Sequence, residues 1–327
     1  MALTKKRMVF ITIILVIVFF IALFYMPESI IGQRDENLLL FIPKILFLAF
    51  TAAIVLVLVL LVTFRNEYFK GQLYTFNRFK YYLRLLIKRD FVAKYRRSIL
   101  GVLWSLLNPM LTMLVMTMVF SYLFEFAIDN FPVYLLSGLT IWTFFSESTS
   151  MAMTSVIAGE GVIKKIYVPK YMFPLSRVIS SLVNMAFSFV AVLIVIFFTR
   201  APFFWTMFLI PIPIFYVFVF SLGVAMLVSS LAVFFRDLTY LYGIFTTLLM
   251  YLSAIFWPVD ILEGGALENL IGLNPMYQFI TYFRHLVYWG TVPDLWTNFV
   301  CLGFALAAFC LGTAVFMKQQ DNFILGL

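Results

Sequence analysis

Of 327 residues, 64% are hydrophobic and only 12% are charged; there are 40 phenylalanines and the net charge is +8. A soluble domain carries about 25% charged residues, and no water-facing fold of this size hides so much apolar surface, so lipid must be the solvent. The only two cysteines, Cys301 and Cys310, share one late apolar run, which excludes a disulfide framework or a thiolate metal site and leaves packing as their role.

In chain order, two apolar runs near 8–26 and 38–64 are each long enough to cross the hydrocarbon. Lys5, Lys6 and Arg7 precede the first, but it is longer than a signal-peptide core and no small-x-small cleavage site follows, so it reads as a retained anchor. Residues 1–64 are therefore predicted to be an N-terminal transmembrane hairpin. Residues 65–98 carry ten basic residues against Glu67 and Asp90, a local charge of +8. Phe76, Phe79, Tyr82, Leu83 and Leu86 fall on one helical face and Lys80, Arg84 and Lys88 on the other, the pattern of a basic amphipathic helix lying on the inner leaflet.

The remainder, 99–327, reads as an all-α membrane core of six spans, near 99–124, 132–157, 174–199, 203–234, 239–258 and 294–317. The stretch around 266–290 is broken by Gly272, Pro275 and Gly290 and is predicted to be a re-entrant pair of short helices, tolerable at membrane depth only where protein or water shelters it. With the N-terminus inside, 19 Lys and Arg fall on the cytoplasmic side and four (Arg34, Lys44, Arg200, Arg284) outside. The positive-inside rule then places both termini in the cytoplasm. Basic charge gathered at one membrane face points to lipid and protein contacts and away from nucleic acid.

Catalytic motifs are missing. There is no G-x-x-x-x-G-K-[ST] loop for nucleotide phosphates, no Asp-x-Asp metal pair and no His-x-x-x-His. The one histidine, His285, sits in the broken hairpin; with Asp260 or Glu263 it is the only grouping a membrane-embedded glycosyl- or acyltransferase could use. Glu147, in FFSESTS, is the one carboxylate deep in a span, too few for an ion relay, and with Ser146, Ser148, Thr149 and Ser150 it forms a polar patch. Its carboxyl group either lines a water-filled path or bonds a neighbouring helix. No cofactor or metal is expected in this chain.

Four stretches together resemble a family: KYRRSILGVLWSLLNPML (94–111), GVIKKIYVPKYMFPLS (161–176), FFRDLTYL (234–241) and IFWPVDI with LNPMYQFITYFRHLVYWG (255–290). They are similar to the membrane subunit of type-2 ATP-binding-cassette exporters, above all the permeases that export lipid-linked O-antigen, capsule or teichoic acid. The hairpin over 1–64 departs from the commonest six-span form. The resemblance implies a homodimer in a bacterial plasma membrane, paired with a separate ATPase subunit that holds ATP and Mg. It makes 161–176 the coupling segment seated on that ATPase. Lys164, Lys165 and Lys170 suit an orienting cationic contact, Tyr167 and Tyr171 suit rigid anchors, and Pro169 and Pro174 stiffen the segment.

The same resemblance implies a headgroup-intake site at Lys94, Arg96, Arg97 and Trp104, where Arg forks match pyrophosphate, although snorkelling to any lipid phosphate would use the same residues. It implies a channel lined by Tyr122, Trp142, Phe144, Phe145, Glu147 and Tyr251, with sugars stacked on the aromatic rings, although packing against lipid or a neighbouring helix would use the same aromatic residues. It implies an outer gate over 255–290 built on Phe256, Trp257, Pro258, Asn274 and Pro275. Pro109 predicts a kink in the first core span. A drug or small-lipid exporter of the same superfamily would share the coupling segment but usually carries a larger external domain.

Overall fold

The computed structural model describes residues 67–95, 100–123, 128–257 and 271–323. The predicted hairpin over 1–64, and with it Arg96, Arg97, Pro258, Asp260 and Glu263, lies outside the described residues. Within them the regular structure is helical and contains no strand.

In order, α1 is Glu67–Tyr95, α2 Leu103–Leu123, α3 Phe131–Met153, α4 Ser155–Ala158, α5 Glu160–Ile163 and α6 Met172–Thr199. A 3₁₀ turn at Trp205–Leu209 leads into α7, Pro211–Phe234; then come α8, Leu238–Tyr251, α9, Pro275–Val287, and α10, Leu295–Gln319, closed by a 3₁₀ turn at Gln320–Asn322. Prolines open several of these helices, at the first or second position of α3, α7 and α9, where a missing N–H removes no intrahelical bond. Pro109 instead sits inside α2, which continues through it to Leu123.

The described residues fall into two compact units, one combining 79–293 with 304–323, the other combining 67–78 with 294–303. In the smaller unit the Asn298 amide donates to the Asp294 carbonyl at 3.1 Å, securing the first turn of α10. In the larger unit α3 is the central post. Seventeen of its 23 residues are buried, because α6 and α7 pack along it and α2 and α9 complete the ring. Aromatic contacts run outward from it, Phe145 to Phe220 at 5.6 Å and Phe220 to Phe279 at 5.3 Å between centroids. α7 and α10 approach so closely that a Cβ on Gly312 would stand 1.9 Å from the Gly223 carbonyl oxygen. Small residues at such crossings let backbones touch where lipid gives no hydrophobic drive.

Three described segments are long and apolar enough to cross a membrane: Met172–Thr199, Trp205–Phe234 and Leu295–Asn322. Leu103–Val119 and Leu238–Tyr251 are shorter apolar helices. The predicted span over 239–258 is therefore curtailed. Its helix stops at Tyr251 after 14 residues, about 21 Å of rise, and the chain turns through Ala254 at φ 47°. Tertiary partners, described below, hold that turn.

Candidate functional site

The segment 161–176 begins on α5 and ends in the first turns of α6. Val168 and Pro169 are buried and anchor it, while Lys165, Ile166 and Tyr167 project outward, Tyr167 at 87% exposure. Pro174 is the third residue of α6, where the backbone N–H would lack an intrahelical partner in any case. The three lysines do different things. Lys164 pairs with Glu160 one turn back at 2.6 Å. Lys165 stays exposed. Lys170 turns inward: its ammonium donates to the Gln320 carbonyl and lies 5.6 Å from the Phe323 ring centroid. Burial lowers its pKa, an effect the Asp321 carboxylate opposes. Lys170 thus braces the segment 161–176 against the chain's own C-terminal turn. Tyr171 is half-buried, and burial raises its pKa. Ile166, which sequence reasoning passed over, shares the projecting knuckle.

Behind this knuckle α1 is tied to α3 and α6 by two polar contacts one helical turn apart. The Asp90 carboxylate, 4% exposed, accepts from Arg177 at 2.9 Å and from Arg89 at 3.1 Å. Lys94 pairs with Glu147 at 2.7 Å, and the Asn184 amide donates to the same carboxylate oxygen at 2.9 Å. Between the two contacts Phe91 stacks on Phe187, 6.4 Å between centroids. Glu147 is six residues from the C-terminal end of α3 and not at the middle of that helix. Its neighbours Ser148 and Thr149 are buried and spend their hydroxyls on the Phe145 carbonyl, at 3.0 and 2.8 Å. Hydroxyls bonded back into their own helix are not offered to a passing ligand, so Ser148 and Thr149 leave the patch, while Ser146 stays half-buried and Ser150 exposed beside Glu147.

At the opposite end of α3 the hairpin is closed by Arg284, 1% exposed. Its guanidinium donates to the Tyr134 hydroxyl and to the Ala254 and Ile255 carbonyls, all at 2.9 Å, and lies 3.5 Å from the Tyr134 ring centroid. Among the described residues no carboxylate pairs with it. Backbone carbonyls of the turn that follows α8, those of Ala254 and Ile255, serve as its counter-charge. Asn274 caps α9 by accepting from the Met276 N–H at 2.9 Å, and its amide donates to the Leu252 carbonyl and the Ser253 hydroxyl at 3.0 and 2.9 Å. Pro275 is the first residue of that helix. Asn274–Pro275 is thus a helix start pinned to α8. The Trp257 carbonyl accepts from the Tyr134 hydroxyl at 3.2 Å, and Phe256 is buried beside Tyr251, 6.2 Å between centroids. His285 Nδ1 contacts the Thr291 hydroxyl at 2.8 Å and its ring lies 4.8 Å from Trp289. Among the described residues no group of three or more His, Cys, Asp or Glu is placed to hold a metal ion.

These helices and the punctuation between them match a known family. The model of that family, described as the ABC-2 type transporter, matches residues 81–288. The chain belongs to the ABC-2 type transporter family. With its apolar helices this makes it an integral membrane protein and a transport subunit, not an enzyme. The chain is 26% identical over 240 residues to the O-antigen export system permease protein RfbA of Myxococcus xanthus, covering 73% of this chain and 92% of that one. It is 28% identical over 243 residues to the protein of that name from Klebsiella pneumoniae, covering 74% and 93%. It is 21% identical over 253 residues to the polysialic acid transport protein KpsM of Escherichia coli, covering 72% and 92%.

Within the ABC-2 framework the expected site residues separate into groups. Lys165 and Tyr167 are presented outward; Lys164, Lys170 and Tyr171 are engaged or half-buried, and Pro169 is buried. Trp104 is exposed at 44% on the first turn of α2. Trp142, Phe144 and Phe145, expected to line a channel, are 5%, 2% and 2% exposed within the chain's own core, so in this conformation they pack helices. Tyr251 is 59% exposed, and Tyr122 falls on the last turn of α2. Sequence reasoning missed Asp90, Arg177, Asn184 and Arg284. Only Arg284 carried a signal, a lone arginine in an apolar hairpin, because charge at membrane depth needs partners.

Proposed function

We propose that this chain is the transmembrane subunit of an ABC transporter exporting a lipid-linked polysaccharide across the bacterial plasma membrane. The observation that carries the reading is its similarity to O-antigen and polysialic acid export proteins over more than nine-tenths of their length. A separate ATPase subunit holds ATP and Mg²⁺, and two copies of the chain form the path between them. Both termini are cytoplasmic, on the strength of the 19-to-4 division of basic residues.

In this mechanism the ATPase grips the Lys165–Ile166–Tyr167 knuckle. Motion passes through buried Val168 and Pro169 into α6, and through the Asp90–Arg177 contact into α1, so the lever is stiff where it meets the bundle. The undecaprenyl-type pyrophosphate arrives at Lys94, Arg96, Arg97 and Trp104, where it competes with Glu147 for the Lys94 ammonium. Exposed groups of α8, Phe245 and Tyr251, 53% and 59% exposed, replace Trp142, Phe144 and Phe145 as path-lining candidates. The Arg284-pinned hairpin closes the far end.

The test is deletion of the gene in its own host, followed by separate assay of surface glycan and of lipid-linked glycan held inside. The expected result is loss of surface polysaccharide with inner accumulation, restored by the intact chain. Unchanged glycan with altered resistance to small apolar compounds would instead assign a drug exporter.

A further inference from the structure

A groove of about 310 Å³ runs between α1 and α6, lined by Arg84, Ile87, Lys88, Phe91, Ser180 and Val183. Arg84 and Lys88 stand one helical turn apart on its rim, both exposed, at the spacing that lets two side chains reach one ligand. Among the described residues neither takes part in an ion pair. The Asp90 carboxylate of α1 and the Glu147 carboxylate of α3 are committed elsewhere, Asp90 to Arg89 and Arg177, Glu147 to Lys94. The floor is apolar: Phe91 is held by its stack on Phe187, and the Ser180 hydroxyl is spent on the Ser176 carbonyl at 2.8 Å. Ser180 and Val183 lie eight and eleven residues from the start of α6 at Met172, about 12 and 17 Å along its axis. That depth runs from the interface into the acyl region of one leaflet.

Two unpaired cations above an apolar cleft at this depth match a single molecule with an anionic head and a hydrocarbon tail. We propose that the groove holds one anionic phospholipid of the cytoplasmic leaflet, its phosphate between Arg84 and Lys88 and an acyl chain against Ile87, Phe91 and Val183. The inference rests on the membrane orientation of the proposed function and is separate from substrate intake at Lys94. The bound lipid wedges α1 against α6 one turn from the Asp90–Arg177 contact and so seats the helix on which the coupling lever bears.

The test is native mass spectrometry of the full chain co-purified with its ATPase, titrated with phosphatidylglycerol and, separately, phosphatidylcholine of matched chains. The parent should retain phosphatidylglycerol about thirtyfold better, the scale expected of two basic residues near an anionic lipid headgroup. Arg84→Gln with Lys88→Gln should bring that preference within about twofold, whereas Arg236→Gln with Lys318→Gln, an equal loss of charge at exposed positions elsewhere, should preserve it. Val183→Trp should lower retention of both lipids by filling the floor. A groove double variant that matches the parent overturns the proposal. So does a control that loses the preference equally, a Val183→Trp protein with unchanged retention, or a groove-dependent adduct whose mass is a polyprenyl diphosphate. Failure of the ATPase to co-purify at all would count against the exporter reading and is scored apart from lipid retention.

Discussion

The segment 161–176 and the hairpin around Arg284 are built from the same residue types, proline, tyrosine and one or more cations, yet the two ends of the bundle use them in opposite ways. At the coupling end Tyr167 is 87% exposed and Lys165 reaches outward, while buried Val168 and Pro169 hold the backbone. At the hairpin end Arg284 is 1% exposed and gives its hydrogen bonds to the chain's own carbonyls and a tyrosine. Groups that the proposed function offers to a second protein stay in solvent on a stiff base. Groups that close the chain on itself are buried and satisfied, because an unsatisfied cation at that depth is costly.

The strongest way to break this comparison is at Arg284. Arg284→Gln removes the cation–π contact and at least one charged hydrogen bond, each such bond being worth about 1.5–3 kcal/mol. The variant should lose about 3 kcal/mol or more, seen as a lower unfolding temperature in detergent together with lost export. Parent-like unfolding would show that the hairpin end is closed by something else.

Next comes Lys165→Ala with Tyr167→Ala. As exposed positions they should leave stability within about 0.5 kcal/mol, yet weaken ATPase association by about 2 kcal/mol, roughly thirtyfold in Kd. Binding of the purified ATPase to the variant decides it; unchanged affinity would sink the coupling role of the knuckle.

A smaller effect sharpens the contrast between paired and presented charge. Glu147→Gln keeps an acceptor for Asn184 and loses the ion pair with Lys94, a half-exposed contact worth about 1 kcal/mol. Chemical denaturation should show that loss, with export slowed if a substrate phosphate competes for Lys94. Export at the parent rate would leave Glu147 as a purely internal bond. The least effect is expected of Lys164→Ala, whose pair with Glu160 is an exposed contact one turn apart and worth about 0.5 kcal/mol or less. A large loss of ATPase affinity in that variant would mean that Lys164 is released from Glu160 on docking.

Much of this protein was legible in its sequence, because the signals are local. Hydropathy along the chain requires lipid, since apolar content is a property of each stretch by itself. The amphipathic face of α1 follows from residue periodicity, and the break in the apolar runs at 161–176 follows from prolines and lysines that no distant contact can move. Which helix ends where, and which side chains face inward, are decided by partners far away in sequence. α8 stops at Tyr251, short of the predicted 258, where Arg284 and Asn274 take up carbonyls at and beyond its end. Lys170 turns inward because Gln320, 150 residues on, offers it a carbonyl, and Arg284 is buried because Tyr134, 150 residues back, presents a hydroxyl and a ring face. Trp142, Phe144 and Phe145 read as lining until α6 and α7 enclose α3, and their burial depends on that packing. Burial and pairing of this kind exist only once the helices have assembled, because each requires two chain segments to meet in space and a one-dimensional pattern carries no record of the meeting.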